Sequence, residues 1–235
     1  MKNIPNLITC LNLLAGCMAC VMILKYENFS GAFIFIVLAS IFDFLDGFAA
    51  RLLKAYSKLG AELDSLADVI SFGMAPGCVI YAYLNSATQG LSFSGLPFIA
   101  FLLPIFSAIR LAKFNTDTRQ TDSFLGLPVP ACALFWISFI PTILPYTHRN
   151  PSIYVASVVG LLIIFCLLMV SEIPMFSLKF KNFGWKDNKW SYSLILFSIV
   201  IIILFSALKM FLLSISLIII GFIILSFIKN KSSES

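Results

Sequence analysis

Stretches of about twenty residues without a single charge recur along this chain, and they restrict what it can fold into. Ile4 to Leu24, Val129 to Thr147 and Asn150 to Ser171 contain no Asp, Glu, Lys or Arg. At 1.5 Å per residue, an α-helix crosses the hydrocarbon of a bilayer in about 20 apolar residues. Of the 235 residues, 60% are hydrophobic and only 11% are charged, and mean hydropathy is +0.99. A soluble domain carries about 25% charged residues, so cytosolic and secreted globular classes are excluded. The expected fold class is all-α: a polytopic membrane helical bundle of about eight transmembrane helices, a six-helix core plus two.

The spans are predicted near residues 5–24, 29–53, 60–86, 96–114, 127–147, 152–171, 191–208 and 210–228. Only a tight turn near Leu208 and Lys209 parts the last two, so one long bent element is the competing reading. No small-residue cleavage site follows the first run, which is expected to remain as a helix. The polar break from Glu172 to Ser191 holds Trp185, Trp190 and four lysines. It suits either a segment lying on the headgroup surface or a solvated loop. The tail from Lys229 to Ser235 is expected to be disordered.

The basic residues report orientation. With the N-terminus in the cytoplasm, the inside segments hold Lys2, Arg51, Lys54, Lys58, Arg110, Lys113, Arg119, Lys179, Lys181, Lys186, Lys189, Lys229 and Lys231. Lys25, Arg149 and Lys209 fall outside. Thirteen against three favours both termini inside; the membrane expected is a bacterial cytoplasmic one. The net charge of +5 does not point to nucleic acid, because no basic stripe interleaves with aromatics.

Cysteine and histidine chemistry is not expected. Cys10, Cys17, Cys20, Cys78, Cys132 and Cys166 all lie in apolar segments, and Cys17 and Cys20 read as small apolar fillers rather than a redox or zinc pair. The one histidine, His148, sits in a short loop between Pro145 and Pro151 and reads as a surface residue.

Four aspartates break the apolar pattern: Asp43, Asp46, Asp64 and Asp68. By insertion scales an Asp in hydrocarbon costs about 2.5–3.5 kcal/mol, so a bound cation, a partner charge or water must compensate. Asp43 and Asp46, three apart, share a helix face that Gly47 and Ala50 continue. Asp64 and Asp68, four apart, share a face of the next helix, preceded by Gly60. A short connection around Lys54 to Leu59 makes the two helices antiparallel neighbours whose acidic faces can meet toward the cytoplasmic side. Converging carboxylates suit one or two hard divalent cations. Small residues at 47, 50 and 60 leave backbone open to a bulky ligand, and Arg51 and nearby lysines add positive charge. Together these suit a phosphate-bearing ligand bridged by metal. Taken singly, the acids also suit a cation path and the small residues also suit helix packing.

The combined pattern D-x2-D-G-x2-A-R-x8-G-x3-D-x3-D, over Asp43, Asp46, Gly47, Ala50, Arg51, Gly60, Asp64 and Asp68, resembles that of the CDP-alcohol phosphotransferases at all eight positions. The segments Ile4 to Asn12, Glu62 to Pro76, Arg110 to Asn115 and Phe124 to Ala131 look like the bacterial and archaeal phosphatidylserine synthase branch. The resemblance implies a membrane core over residues 1–180, with residues 181–235 adding an amphipathic loop, two helices and a tail. It implies a divalent metal cofactor, Mn²⁺ or Mg²⁺, as two ions. Asp43, Asp46 and Asp64 are its ligands, with Asp68 near the second ion and acting as base. It also implies nucleotide contacts around Gly47, Ala50, Arg51 and Gly60.

Asn6, Thr9 and Asn12 lie one turn apart on the first span, facing either the nucleotide or neighbouring helices. The implied partners are CDP-diacylglycerol, L-serine, the bilayer and a second copy of the chain as a homodimer. The implied products are phosphatidylserine and CMP. Serine's carboxylate calls for a cation, for which Arg110 and Lys113 are the candidates, although both also suit positive-inside anchors. Other acceptors, such as glycerol phosphate, inositol phosphate or an amino alcohol, and a cation transporter using the acids are the alternatives.

Overall fold

The computed structural model describes residues 3–89, 95–117, 124–175 and 185–234. Lys2, Arg119, Lys179 and Lys181, which enter the charge argument, lie outside the described residues.

The chain begins with two long helices, α1 (Ile4–Tyr26) and α2 (Phe29–Leu52). A third, α3 (Lys58–Asp68), continues through a π-helical segment (Val69–Met74) into α4 (Ala75–Ala87). A 3₁₀ turn (Leu96–Phe101) leads into α5 (Leu102–Thr116). Next come α6 (Val129–Ile143), a 3₁₀ turn (Leu144–Arg149) and α7 (Pro151–Val170). The last helices are α8 (Trp185–Ala207) and α9 (Phe211–Glu234). Among the described residues, eight helical stretches are long and apolar enough to cross a membrane, with α3, the π segment and α4 forming one of 30 residues. The protein is a polytopic helical membrane protein, as the uncharged runs predict.

Local chemistry sets the connections that bring the first three helices together. Glu27 adopts a left-handed conformation (φ 50°) and donates its N–H to the Ile23 carbonyl, which closes α1. Asn28 caps α2 by accepting from the Gly31 N–H at 2.8 Å. Ser57 caps α3 the same way, its Oγ accepting from the Gly60 N–H at 3.0 Å.

The core lies between the central helices. Tyr83 on α4, Phe72 in the π segment, and Phe135 and Trp136 on α6 have no exposed surface. Phe135 stacks on Phe165 of α7 at 4.2 Å, and Trp136 meets the same ring edge-on at 5.8 Å. Such pairs contribute about 0.5–1.5 kcal/mol beyond their buried area. The outer faces carry exposed Leu7, Leu14, Ile34, Phe44, Ile163 and Ile203, the surface that lipid covers in a membrane.

Three details differ from the sequence reading. A two-residue ribbon, not expected, pairs β1 (Phe124–Leu125) antiparallel with β2 (Pro174–Met175). As predicted, the last two spans are separate helices: Lys209 turns left-handed (φ 57°) and Met210 donates its N–H back to the Phe205 carbonyl. Helix α8 starts at Trp185 rather than near 191, with a kink at Asn188 (φ −116°, ψ 17°). The tail is helical to Glu234, since nothing between Lys229 and Glu234 breaks a helix and Asn230 anchors this end by donating to the Pro174 carbonyl at 2.8 Å. The final helix pair joins the bundle through α9: Ser216 lies 2.7 Å from Ser138 of α6, a buried hydroxyl pair.

Candidate active site

Helices α1, α2 and α3 converge on the acidic motif. Asp43 and Asp46 project from α2, and Asp64 and Asp68 from α3. One carboxylate oxygen each from Asp43, Asp64 and Asp68 lies within 4.8 Å of the other two. The 3- and 4-residue spacings therefore place three of the four acids at a common point. Asp46 stands beside them, with 6% of its surface exposed, and shares a cavity wall with Asp64.

That cavity has a volume of about 170 Å³ and is bounded by Pro5, Asn6, Thr9, Asp46, Gly47, Ala50, Ala55, Tyr56, Ser57, Gly60, Ala61 and Asp64. Five residues expected near a nucleotide (Asn6, Thr9, Gly47, Ala50 and Gly60) share this wall, whereas Arg51 is exposed and off it. A Cβ at Gly47 would meet nothing within 4 Å, so the backbone there is open. At Gly60 a Cβ would come within 3.0 Å of Asn6 Oδ1, so this glycine keeps α1 and the start of α3 close.

Helix α1 holds the carboxylates from behind. Thr9 Oγ1 lies 2.7 Å from Asp46 Oδ2 and 3.1 Å from the Pro5 carbonyl. Its single proton favours the shorter, charge-assisted bond to the carboxylate. One turn on, Asn12 Nδ2 donates to Asp68 Oδ1 at 3.3 Å. Ser71 then donates its Oγ–H to the main-chain carbonyl of Asn12 at 2.9 Å. Gly16 permits this approach, because a Cβ there would sit 2.7 Å from the Ser71 Cα. Ser71 belongs to the π segment that begins immediately after Asp68. A π turn inserted into an α-helix re-aims the residues that follow, and such turns recur at functional sites.

The donor set fits a hard divalent cation. Three carboxylate oxygens at this separation repel one another unless a positive charge joins them. Asp64 Oδ1 is buried without a hydrogen-bond partner, as a ligand atom is before its metal binds.

The two cations expected near an acceptor part ways. Arg110 is 7% exposed, its Nε has no partner, and its charge interacts with that of Asp68. The guanidinium also rests over the Phe114 ring at 5.5 Å. Lys113 is exposed and donates to the Val170 carbonyl at 3.2 Å, at the end of α7. Asn115 on the same helix donates to Ser65 Oγ at 2.9 Å, which ties α5 to the acidic helix. Ser65 and Ser71 lie in the segment Glu62 to Pro76 that carries the resemblance, but their partners, Asn115 and the Asn12 carbonyl, have no sequence signal.

Cys17 is exposed, Cys20 is half-buried, and all six cysteines are free thiols. His148 is exposed.

The model of the CDP-alcohol phosphatidyltransferase family matches residues 2–170, a span that contains every residue of the site. A Helicobacter pylori (strain J99) protein is 35% identical over 200 residues, covering 83% of this chain and 78% of its own. A Bacillus subtilis protein is 36% identical over 173 residues, covering 74% and 89%. One from Methanocaldococcus jannaschii is 35% identical over 162 residues, covering 69% and 71%. All three are named CDP-diacylglycerol–serine O-phosphatidyltransferase. With the motif, the converging carboxylates and these matches in agreement, the chain belongs to the CDP-alcohol phosphatidyltransferase family.

Proposed function

We propose that this protein transfers the phosphatidyl group of CDP-diacylglycerol to the hydroxyl of L-serine, releasing CMP and forming phosphatidylserine. The observation that carries the reaction class is the Asp43, Asp64 and Asp68 cluster, within 4.8 Å, beside a cavity walled by small residues. The acceptor follows from the shared name of the bacterial and archaeal relatives.

Asp43, Asp46 and Asp64 would hold a divalent cation, Mn²⁺ or Mg²⁺, with Asp68 beside a second ion. When bound, the metal supplies positive charge that neutralises the pyrophosphate and eases departure of CMP. Asn6, Gly47, Ala50 and Gly60 leave room for the nucleotide, Thr9 steadies Asp46, and Arg51 adds positive charge near the entrance. Asp68 takes the proton from the serine hydroxyl as general base. The serine oxygen forms a bond to the lipid-side phosphorus as the bond from that phosphorus to the CMP oxygen breaks. Arg110, buried on α5, receives the serine carboxylate. Lys113, bonded to the end of α7, is the weaker of the two candidates for that contact.

The basic-residue distribution supports both termini and the active site facing the cytoplasm, and the bacterial relatives support a bacterial cytoplasmic membrane. The family match ending at residue 170 supports a phosphotransferase core over residues 1–180 and an added C-terminal segment over 181–235. Family resemblance supports a homodimer.

The test is CMP release by purified protein given CDP-diacylglycerol with L-serine, glycerol phosphate, inositol phosphate or ethanolamine in turn. Turnover with serine well above the others is expected. Preferred turnover of a phosphorylated alcohol would replace serine as acceptor. Absence of CMP release with every acceptor, beside metal-dependent cation flux in vesicles, would move the protein to transport.

A further inference from the structure

Asn12 is a fully buried amide on α1, and only one end of its side chain is used. Nδ2 donates to Asp68 Oδ1 at 3.3 Å. The Asn12 main-chain carbonyl accepts from Ser71, which holds this turn of α1 against the π segment. Its Oδ1 is buried without a partner. A buried acceptor without a partner has given up its hydration for nothing, and native proteins keep few of them. Rotating the amide would not remove the problem, because it would turn the oxygen onto the Asp68 carboxylate. Asp68 thus dictates which end of the amide stays free.

A second unused polar group lies on α5. Arg110 is buried, its charge interacts with that of Asp68, and its Nε–H has no partner. Asn12 thus leaves one buried acceptor free beside Asp68, and Arg110 leaves one buried cationic donor free within electrostatic reach of it. Neither is needed to release a proton from a simple alcohol. An amino-acid zwitterion bearing a hydroxyl requires both: an acceptor for its ammonium and a cation for its carboxylate.

We infer that Asn12 Oδ1 receives the ammonium group of the acceptor, so that Asn12 sets the specificity for an α-amino acid while steadying Asp68. The inference rests on the serine reading above and adds the residue that distinguishes serine from the same hydroxy acid without its amine.

The experiment compares L-serine with 3-hydroxypropanoate, which keeps the hydroxyl and carboxylate and lacks the ammonium. CMP release is measured at saturating CDP-diacylglycerol for the unmodified protein and for Asn12→Ala. In the unmodified protein, kcat/KM for serine is expected to exceed that for 3-hydroxypropanoate by roughly ten- to a hundredfold, the value of a charge-assisted hydrogen bond. In Asn12→Ala that ratio is expected to collapse toward one, while the KM for CDP-diacylglycerol stays within about twofold. A residue that acts only by positioning Asp68 would lower turnover of both acceptors equally and leave the ratio intact. An intact ratio overturns the inference. Equal use of the two acceptors by the unmodified protein also overturns it, and that arm needs no variant to fold. Failure of the unmodified protein to use serine at all, with turnover of another acceptor, defeats the serine reading itself and is distinct from either result.

Discussion

Thr9 donates a 2.7 Å hydrogen bond to Asp46, and through it α1 reaches the carboxylate face of α2. Three residues later Asn12 makes the corresponding bond to Asp68 on α3. One face of one helix thus steadies acids on two others. A supporting bond to a metal ligand fixes its orientation, and loss of such a bond typically costs 10- to 100-fold in metal affinity or activity.

Thr9→Val keeps the shape of the side chain and removes the donor. The Mn²⁺ concentration for half-maximal CMP release is expected to rise by about 10- to 100-fold. Thr9→Ser should stay near the unmodified value. An unchanged metal requirement in Thr9→Val would show that the bond to Asp46 does not support metal binding.

Removal of divalent metal by a chelator is expected to abolish CMP release, and Mn²⁺ or Mg²⁺ to restore it. The ligands available are all carboxylate oxygens, which suit hard cations. Full activity in metal-free buffer would remove the metal from the reaction.

Asp46→Asn and Asp68→Asn are expected to fail differently. Asp46 is assigned to the metal and the nucleotide cavity, so its loss should weaken CDP-diacylglycerol binding as well as turnover. Asp68 is assigned to the acceptor proton, so its loss should stop turnover while binding is better retained. Near-normal turnover in Asp68→Asn would rule out its role as base.

Gly16→Ala places a methyl group 2.7 Å from the Ser71 Cα. Overpacking of this kind costs about 1–3 kcal/mol and here pushes α1 away from the π segment. A lower temperature of half-inactivation in detergent and reduced activity are expected. Gly160→Ala is the control, since its Cβ would meet nothing within 4 Å. Equal behaviour of the two variants would show that the close contact at Gly16 has no energetic weight.

Orientation is tested by labelling single cysteines in a background without the six native ones. Lys54→Cys is expected to react from the cytoplasmic side and Arg149→Cys from the outer side. Labelling of position 54 from outside would invert the bundle and move the site out of the cytoplasm.

The membrane class, the number of spans and the acid constellation were open to reading before any contact was known. Hydrophobic runs are set by residue type alone, and lipid imposes one length on every helix that crosses it. Spacings of three and four put Asp43 with Asp46 and Asp64 with Asp68 through helix geometry, with no tertiary knowledge. The ends of the last two helices were harder to place. Asn188 kinks α8 without a proline, and the anchor for α9 is the Pro174 carbonyl, 56 positions away from Asn230.

What packing alone decided is which polar side chain meets which partner. Asn6, Thr9 and Asn12 share a helix face, yet Thr9 bonds Asp46, Asn12 bonds Asp68 and Asn6 faces Gly60. Arg110 and Lys113 are three apart on α5, yet one is buried over the Phe114 ring and the other ends at the Val170 carbonyl. Residues three apart on a helix differ by only about 60° around its axis, so the neighbouring helix selects between them. The π segment after Asp68 is subtler still, because one extra residue per turn leaves no mark in composition. The sequence by itself determined that carboxylates meet inside a membrane bundle. The approach of α1 to the π segment, possible only because Gly16 has no side chain, determined which polar groups hold those carboxylates and which remain free for a ligand.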